Sequence, residues 1–137
     1  MNVLCFYISV DLSERMRNEI PKEILCEMEP LGGLNGIVKR LPNKKSIIKL
    51  ASSHEALSEP VRLQILLILR QGKLCVCVIK ALTSCPDTRL SYHLSKLKRM
   101  NLIKSQRQKS FLKYYLTGKG KKTADELMAA IANMNKY

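Results

Sequence analysis

The chain is poor in acidic residues and has no long hydrophobic segment. Its 137 residues include 24 Lys and Arg but only 11 Asp and Glu, which gives a formal net charge of +13. No segment approaches the roughly 20 apolar residues needed to span a bilayer, so we expect no membrane-spanning helix. The apolar run at residues 3–10 has no cationic region before it and no small-residue cleavage pattern after it, which argues against a secretory signal. We therefore expect a cytoplasmic protein whose cysteines remain reduced.

The sequence also lacks the patterns typical of a catalytic site. It has no glycine-rich phosphate loop, no plausible Ser/His/acid set and no paired-carboxylate signature. The two histidines, His54 and His93, lie on or beside apolar helical faces. We interpret both as packed side chains, and we expect a binding protein and not an enzyme.

The positive charge is concentrated in one part of the chain. Residues 1–50 contain eight Lys/Arg and six Asp/Glu, a net +2, whereas residues 51–137 contain sixteen and five, a net +11. Such a local excess is typical of a surface that binds nucleic-acid phosphates. A membrane-surface protein is the competing interpretation of a basic chain.

A cationic amphipathic helix is predicted over residues 88–99. Leu90, Leu94 and Leu97 follow the i, i+4, i+7 pattern of one buried helical face. The remaining face is cationic, hydroxylic and aromatic, and such a face can enter the major groove of DNA. The predicted DNA-contacting residues of this helix are Thr88, Arg89, Ser91, Tyr92, Ser95, Lys96 and Arg99.

The flanking segments complete a winged helix-turn-helix. Residues 60–70 are apolar nearly all round and predict a central helix, with Ser58 as its cap, Pro60 in its first turn and Gly72 after its end. A short helix is predicted over 74–82 and a turn over 83–87. Two strands at 102–107 and 111–116, with a tip at 108–110, form a basic hairpin. Its cations Arg107, Lys109 and Lys113 lie on or near the tip and are predicted to contact DNA backbone.

These elements predict a mainly α fold with a small β-hairpin, in which an N-terminal helical extension precedes the winged domain. We divide the chain into residues 1–45, the extension and linker, and residues 46–137, the DNA-binding and dimerisation domain. Apolar residues at every fourth position from Leu12 to Met28 predict a helix that Pro21 must kink or divide. The Gly- and Pro-rich residues 30–45 are predicted to form a linker or loop between the N-terminal helix and the winged domain.

Two helices that flank the winged unit carry apolar stripes. One stripe includes Ile47, Leu50 and Leu57, and the other includes Leu127 and Met134. We expect the two helices to pair across a two-fold axis in a homodimer, which would place two recognition helices one DNA turn apart, ~34 Å. The alternative is that they cover each other within one chain.

Four segments in order, at residues 56–66, 72–77, 90–94 and 114–116, resemble the arsenic-repressor (ArsR/SmtB) family. The resemblance covers roughly residues 46–135. It implies a homodimeric repressor that binds double-stranded DNA and leaves its operator when a metal or metalloid binds. It also implies that a thiophilic metal or metalloid ion is held at Cys75 and Cys77.

The chain departs from the family pattern beside this cysteine pair. Lys73 and Val78 stand where the family commonly has Glu and Asp. The absence of these two anionic groups favours a thiophilic ion over a hard divalent one. The family's other metal site, on the last helix, is absent because residues 118–137 have no His and only Asp125 and Glu126 as acids.

Cys75 and Cys77 could act together only if the backbone between them is not a regular helix. Residues i and i+2 of a helix point about 200° apart, so a shared ligand requires an extended or distorted first turn. Cys26 or Cys5 of the other subunit could supply a third ligand, because most soft-metal sites have three or four. Cys85 is interpreted as a buried core residue.

Three functions fit these observations. The first is a repressor controlled through its thiols by a soft metal or metalloid. The second is a thiol redox sensor on the same DNA-binding scaffold. The third is a winged-helix module that recruits a protein partner through the N-terminal extension.

Overall fold

The computed structural model describes residues 18–136. The chain divides into two compact units, Met1–Leu50 and Ala51–Tyr137. The boundary predicted from the sequence, between residues 45 and 46, stays a prediction. The apolar run at 3–10, with Cys5, and the first part of the predicted N-terminal helix lie outside the described residues.

The described part of the first unit is largely helical. Helix α1 spans Lys22–Glu27 with Pro21 at its N-cap, a 3-10 helix spans Glu29–Leu31, and α2 spans Gly33–Arg40. The predicted loop over 30–45 is therefore wrong. A Cβ on Gly36 would lie 2.7 Å from the carbonyl oxygen of Leu31, so this glycine allows α2 to pack against the turn before it. Gly36 was interpreted as a loop residue, but its missing side chain serves the packing of a helix.

The second unit is the winged helix-turn-helix predicted from the sequence. Its helices are α3 (Lys44–Leu57), which begins in the first unit, α4 (Pro60–Leu69), α5 (Val76–Thr83), α6 (Asp87–Arg99) and α7 (Gly118–Met134). Its strands are β1 (Leu74–Cys75), β2 (Ile103–Gln108) and β3 (Phe111–Leu116). The observed architecture is mainly α with a small antiparallel sheet, which confirms the predicted fold class. None of the helices among residues 18–136 is long and apolar enough to cross a membrane.

Two local predictions around α4 and α5 are wrong. Ser58 does not cap α4, because Glu59 is the N-cap residue and Ser58 Oγ instead donates a hydrogen bond to the carbonyl of Glu55. Leu74 and Cys75 are not helical but form a strand that pairs antiparallel with β3, with Leu74 opposite Tyr114 and Cys75 opposite Lys113. The sheet order is β1-β3-β2. Pairing with a strand roughly forty residues away overrides the local helical tendency.

The core lies between α4, α5, α6 and the sheet. Ile65, Leu66, Ile79 and Leu97 are fully buried there. Helix α7 packs on α4 and β3, and its Ala124 is also fully buried. The first turn of α7 is held by Thr117, whose Oγ1 accepts a hydrogen bond from the Gly120 N–H at 2.9 Å. These contacts fix the helices from which the site residues project.

The predicted apolar stripes of α3 and α7 remain exposed in the single chain. Leu50 is 60% exposed, and Met134 is 75% exposed. Met128 and Ile131 on α7 are also exposed. His54, predicted to be packed on the α3 stripe, is exposed as well, so that interpretation is wrong for the single chain.

Candidate DNA interface and thiol pair

Helix α6 presents a polar face to solvent because its apolar face is locked into the core. Leu90, His93, Leu94 and Leu97 are all buried. At 100° per residue, the positions opposite this buried face are Thr88, Tyr92, Ser95 and Arg99, and all four are exposed. The helix therefore displays two hydroxyls, an aromatic ring and a guanidinium at the centre of its free surface.

The other predicted contact residues of α6 lie to the sides of this centre. Arg89 is exposed, while Lys96 is half-buried and shares a groove with Ser52 and Glu55 of α3. Ser91 is exposed on the opposite side. All seven predicted residues thus reach the surface, with Lys96 the least accessible.

Lys98 is a neighbouring cation that the predicted set does not include. It lies on the same side of α6 as Ser91, and its Nζ donates to Ser105 Oγ of β2 at 3.0 Å. The contact joins the recognition helix to the first strand of the wing, so this lysine is engaged within the protein.

An arginine anchor beneath α6 was missed by sequence reasoning. Arg62 of α4 is only 7% exposed. Its Nε donates to the carbonyl of Ala56, and its Nη1 lies 3.3 Å from Nδ1 of His93. The arginine therefore ties α3, α4 and the recognition helix together. Arg62 is the one charged residue in the apolar sequence of α4. That isolated charge was the signal that could have revealed the anchor.

His93 is packed as predicted, with one nitrogen partnered. It is 4% exposed, and its Nε2 has no hydrogen-bond partner. Burial lowers the pKa of His93 below its usual value of 6.5, and the neighbouring Arg62 charge lowers it further. The neutral ring can accept at Nδ1 from Arg62, and protonation would place two cations in contact.

The wing is a tight hairpin with a two-residue tip. Strand β2 runs to Gln108 and β3 begins at Phe111, so Lys109 and Ser110 form the turn, and Lys109 has a φ of +55°. Arg107 and Lys109 are both exposed there. Lys113 is not at the tip: it is half-buried and lies opposite Cys75 in the β1–β3 pairing. The wing tip therefore carries two of the three predicted cations.

The two cysteines of the sensor motif converge. Cys75 is the last residue of β1 and the N-cap of α5, with an extended backbone (φ −65°, ψ 146°). The two sulfur atoms lie 2.8 Å apart, and Cys77 Sγ donates a hydrogen bond to Cys75 Sγ. The extended turn that joint action requires is thus present, and β1 pairing produces it.

The two thiols differ in acidity because of this contact. The hydrogen bond from Cys77 lowers the pKa of Cys75 below 9.0, and the Lys113 charge contributes in the same direction. The same hydrogen bond raises the pKa of Cys77. Cys75 is therefore the sulfur that more readily becomes a thiolate, which is the reactive form of cysteine.

The two other cysteines of the described residues lie apart from this pair in sequence. Cys85 is 6% exposed and belongs to the core, as predicted. Cys26 is exposed on α1, in the first unit. Within residues 18–136 no group of three or more His, Cys, Asp or Glu is placed to hold a metal ion. The described chain offers two sulfur ligands at one place.

Helix α5 connects the thiols to the recognition helix. It begins beside Cys75 and ends at Ser84, a left-handed residue with φ 51° that opens the turn into α6. Ile79 anchors α5 in the core. Lys80 Nζ lies 2.8 Å from the carboxylate of Asp87, the first residue of α6. The thiol pair and the start of α6 are therefore linked through this one short helix.

The comparisons with known proteins agree with this geometry. Residues 59–105 match the family described as "Bacterial regulatory protein, arsR family". An uncharacterized HTH-type transcriptional regulator of Methanocaldococcus jannaschii is 33% identical over 69 residues, which are 50% of this chain and 78% of that protein.

Solved structures share the fold. HlyU from Vibrio cholerae is 25% identical with a TM-score of 0.58, covering 64% of this chain and 97% of its own. The transcriptional repressor BigR from Xylella fastidiosa is 23% identical with a TM-score of 0.59, covering 69% and 94%. A homodimeric winged helix-turn-helix DNA-binding domain of a possible ArsR-family regulator from Mycobacterium bovis is 26% identical with a TM-score of 0.56, covering 70% and 91%. The chain belongs to the ArsR family of winged helix-turn-helix transcriptional regulators, which bind DNA and are not enzymes.

Proposed function

We propose that this protein is a homodimeric repressor whose operator affinity is modulated through Cys75 and Cys77. The observation that carries the proposal is the 2.8 Å contact between the two sulfur atoms at the start of α5. That helix leads directly into the turn before the recognition helix. Because its target is DNA, we place its action in the cytoplasm.

DNA binding would use the exposed face of α6 and the tip of the wing. Thr88, Tyr92, Ser95 and Arg99 are centred on that face, and Arg89 flanks it. Arginine donates two hydrogen bonds to guanine, whereas hydroxyls serve bases or phosphates. Arg107 and Lys109 at the wing tip would contact the adjacent backbone.

The exposed stripes of α3 and α7 support homodimerisation. Leu50, Met128, Ile131 and Met134 are large apolar side chains on these stripes that are between 41% and 75% exposed. Full burial of an exposed side chain of this kind stabilises by about 1.5–3 kcal/mol, and each of these partly exposed side chains would gain a fraction of that amount in a dimer. The related M. bovis domain is described as homodimeric, and a second copy is the occupant that an isologous dimer supplies.

A thiophilic ion fits the thiol pair in part. Two sulfur ligands of a tetrahedral ion, each at ~2.3 Å, are separated by roughly 3.8 Å, so the pair must open by about 1 Å. Residues 18–136 of a single chain do not bring a third ligand to this pair. We propose that Cys26 or Cys5 of the other subunit is the third ligand. When bound, such an ion would cross-link β1 to the first turn of α5.

Reversible oxidation is the second candidate, and the direct contact between the two sulfur atoms favours it. A disulfide joins its sulfur atoms at ~2.05 Å, and the two sulfur atoms of the reduced pair already lie in contact at 2.8 Å. The Cys75 thiolate would attack a low-molecular-weight disulfide and release one thiol. Cys77 would then attack the Cys75 sulfur and release the second thiol, so that two electrons pass to the added disulfide. One solved form of the related HlyU is described as reduced.

The experiment is a titration of an operator duplex, selected from a random library, with the purified protein. Binding is measured with the protein reduced, treated with oxidised glutathione, and treated with arsenite, cadmium, zinc or copper(I). We expect tight binding by the reduced protein and at least tenfold weaker binding after one of these treatments. A thiol count on the same samples separates the two chemistries, because only the disulfide removes two titratable thiols after denaturation in chelator.

The contradicting outcomes are distinct. Affinity that is unchanged by every treatment would remove the thiol control but leave the DNA-binding regulator intact. Duplex binding that is seen only when a second protein is added would support the interaction module in place of an autonomous repressor.

A further inference from the structure

A cavity of about 530 Å³ lies at the base of the wing, and neither the recognition helix nor the two thiols line it. Its apolar floor is formed by Leu69 at the end of α4 and Leu116 at the end of β3, both buried. Gly72 and Tyr115 form its walls. The volume is within the range of small-molecule sites, about 300–1,000 Å³.

The rim of this cavity is cationic. Arg70, Lys73 and Lys121 line it together with one acid, Asp125. The carboxylate of Asp125 already pairs with Arg70 Nε at 2.7 Å. The charges of Lys73 and Lys121 are therefore left without a compensating anion on the rim, which leaves a net charge of about +2 at the cavity.

The two lysines differ in the contacts that their ammonium groups make. Lys73 Nζ donates to the neutral Gln106 Oε1 at 2.7 Å and lies 4.9 Å from the centre of the Tyr115 ring. Lys121 forms no ion pair with any residue of the described part of the chain. Neither lysine forms an ion pair within the described part of the chain, so an anion that both lysines reach would gain two charge-assisted contacts.

We propose that this cavity binds a small organic anion with a phosphoryl dianion, held by Lys73 and Lys121. Lysine is a common phosphate ligand in proteins, and the apolar floor formed by Leu69 and Leu116 accommodates the carbon part of such a ligand. The proposal does not rest on the thiols or on any metal ion.

A DNA phosphate is the other source of the same chemistry, and the position of the cavity argues against it. Tyr115 is five residues from Ser110 at the wing tip, a distance of about 17 Å along a strand at ~3.3 Å per residue. The wing tip is the part of the hairpin that approaches the duplex. A ligand at Lys73 would compete with Gln106 of β2 and could thereby alter the wing from its base.

The test is calorimetric titration of the full chain with inorganic pyrophosphate and with glucose 6-phosphate at constant ionic strength. The variants are Lys73→Gln and Lys121→Gln. The matched control is Lys122→Gln, which removes the same charge from the neighbouring position of α7 but does not line the cavity. Thermal unfolding of all four proteins verifies that each variant is folded.

We expect saturable binding with one site per chain, weakened at least fivefold by Lys73→Gln and by Lys121→Gln and within twofold of wild type for Lys122→Gln. Equal weakening by all three variants would mean attraction by net charge only and would overturn the proposal, as would the absence of saturable binding. Displacement of the anion by non-operator duplex, with a reduced salt slope of DNA binding in Lys121→Gln, would assign the cavity to DNA backbone and would also overturn it. None of these outcomes depends on whether the thiols control operator binding.

Discussion

Two cationic regions of the winged unit differ in what their charges contact. The exposed face of α6 and the wing tip present Arg89, Arg99, Arg107 and Lys109, for which no ion pair is found among residues 18–136. At the base of the sheet, Lys73 contacts Gln106 and Tyr115, and Lys113 lies beside Cys75. The same excess of positive charge therefore serves one region that is open to an external polyanion and one whose lysines lie against other side chains of the sheet. Net charge alone does not distinguish these regions, whereas partners do.

The largest effect, a loss of unfolding free energy, is expected for replacement of Arg62, which is buried and hydrogen-bonded. Arg62→Ala removes the buried donor to the carbonyl of Ala56 and the partner of His93 Nδ1, whereas the carbonyl of Glu55 keeps its hydrogen bonds from Ser58. Leaving buried acceptors unsatisfied costs about 2–3 kcal/mol of unfolding free energy, measured by urea denaturation. The control Arg70→Ala breaks an exposed pair with Asp125 and should cost less than about 1 kcal/mol. Equal costs for the two variants would contradict the anchoring role of Arg62.

A smaller effect, on operator affinity and specificity, is expected for substitutions in the recognition helix. Arg89→Ala should weaken operator binding by about 1–3 kcal/mol if Arg89 contacts a base, and should relax specificity at that base. Lys96→Ala should weaken all duplexes alike if it contacts a phosphate. Competition titrations with operator variants provide the measurement. If the Arg89/Lys96 double variant binds its operator like wild type, this docking of α6 is wrong.

The wing hairpin carries cations of both regions, Arg107 and Lys109 at its tip and Lys113 beside Cys75. Neutralising Arg107 and Lys109 should reduce the slope of log affinity against log salt by roughly 0.9 for each DNA phosphate that the variant no longer neutralises. Sequence position alone suggests the same role for Lys113, but its place opposite Cys75 leads us to expect a nearly unchanged slope for Lys113→Gln. A slope change in Lys113→Gln as large as in Lys109→Gln would remove the distinction between tip and base.

The smallest effect concerns pH. The pKa of His93 is lowered in the folded protein, so the unfolded chain binds the additional proton more readily. Stability contributed by neutral His93 is therefore present above about pH 6.5 and is lost as pH falls from there toward the folded pKa. Urea denaturation from about pH 7.5 to 5 should show this decline, and His93→Gln should reduce it. A decline of the same size in the variant would assign the pH dependence to other groups.

Local patterns were sufficient for much of the fold. The apolar spacing of Leu90, Leu94 and Leu97 predicted α6 to within one residue at its start, because helical periodicity depends on neighbours in sequence. The strand at Leu74 and Cys75 was not predicted, because it exists only through pairing with β3. The loop predicted over 30–45 was wrong because the composition of a segment does not reveal that Gly36 packs against the turn before α2.

In the candidate site too, local sequence geometry was predictable, whereas contacts made by strand pairing were not. That Cys75 and Cys77 need an extended turn to act together follows from helix geometry, and the structure has that turn. That Lys113 lies beside them could not be deduced, since strand register brings distant residues together. The charge of Lys113 was assigned to the DNA surface for the same reason.

Control of DNA release by Cys75 and Cys77 is decided by the operator affinity of wild type and of the Cys75→Ser/Cys77→Ser double variant, measured in parallel by fluorescence anisotropy. Each protein is assayed reduced and after the treatment that releases wild type from DNA, with Cys26→Ser as a third sample. We expect the double variant to bind as tightly as reduced wild type and no longer to respond, while Cys26→Ser responds fully if the switch is a disulfide and weakly if Cys26 is a metal ligand. A double variant that still releases DNA as wild type does would place the sensor outside the Cys75–Cys77 pair.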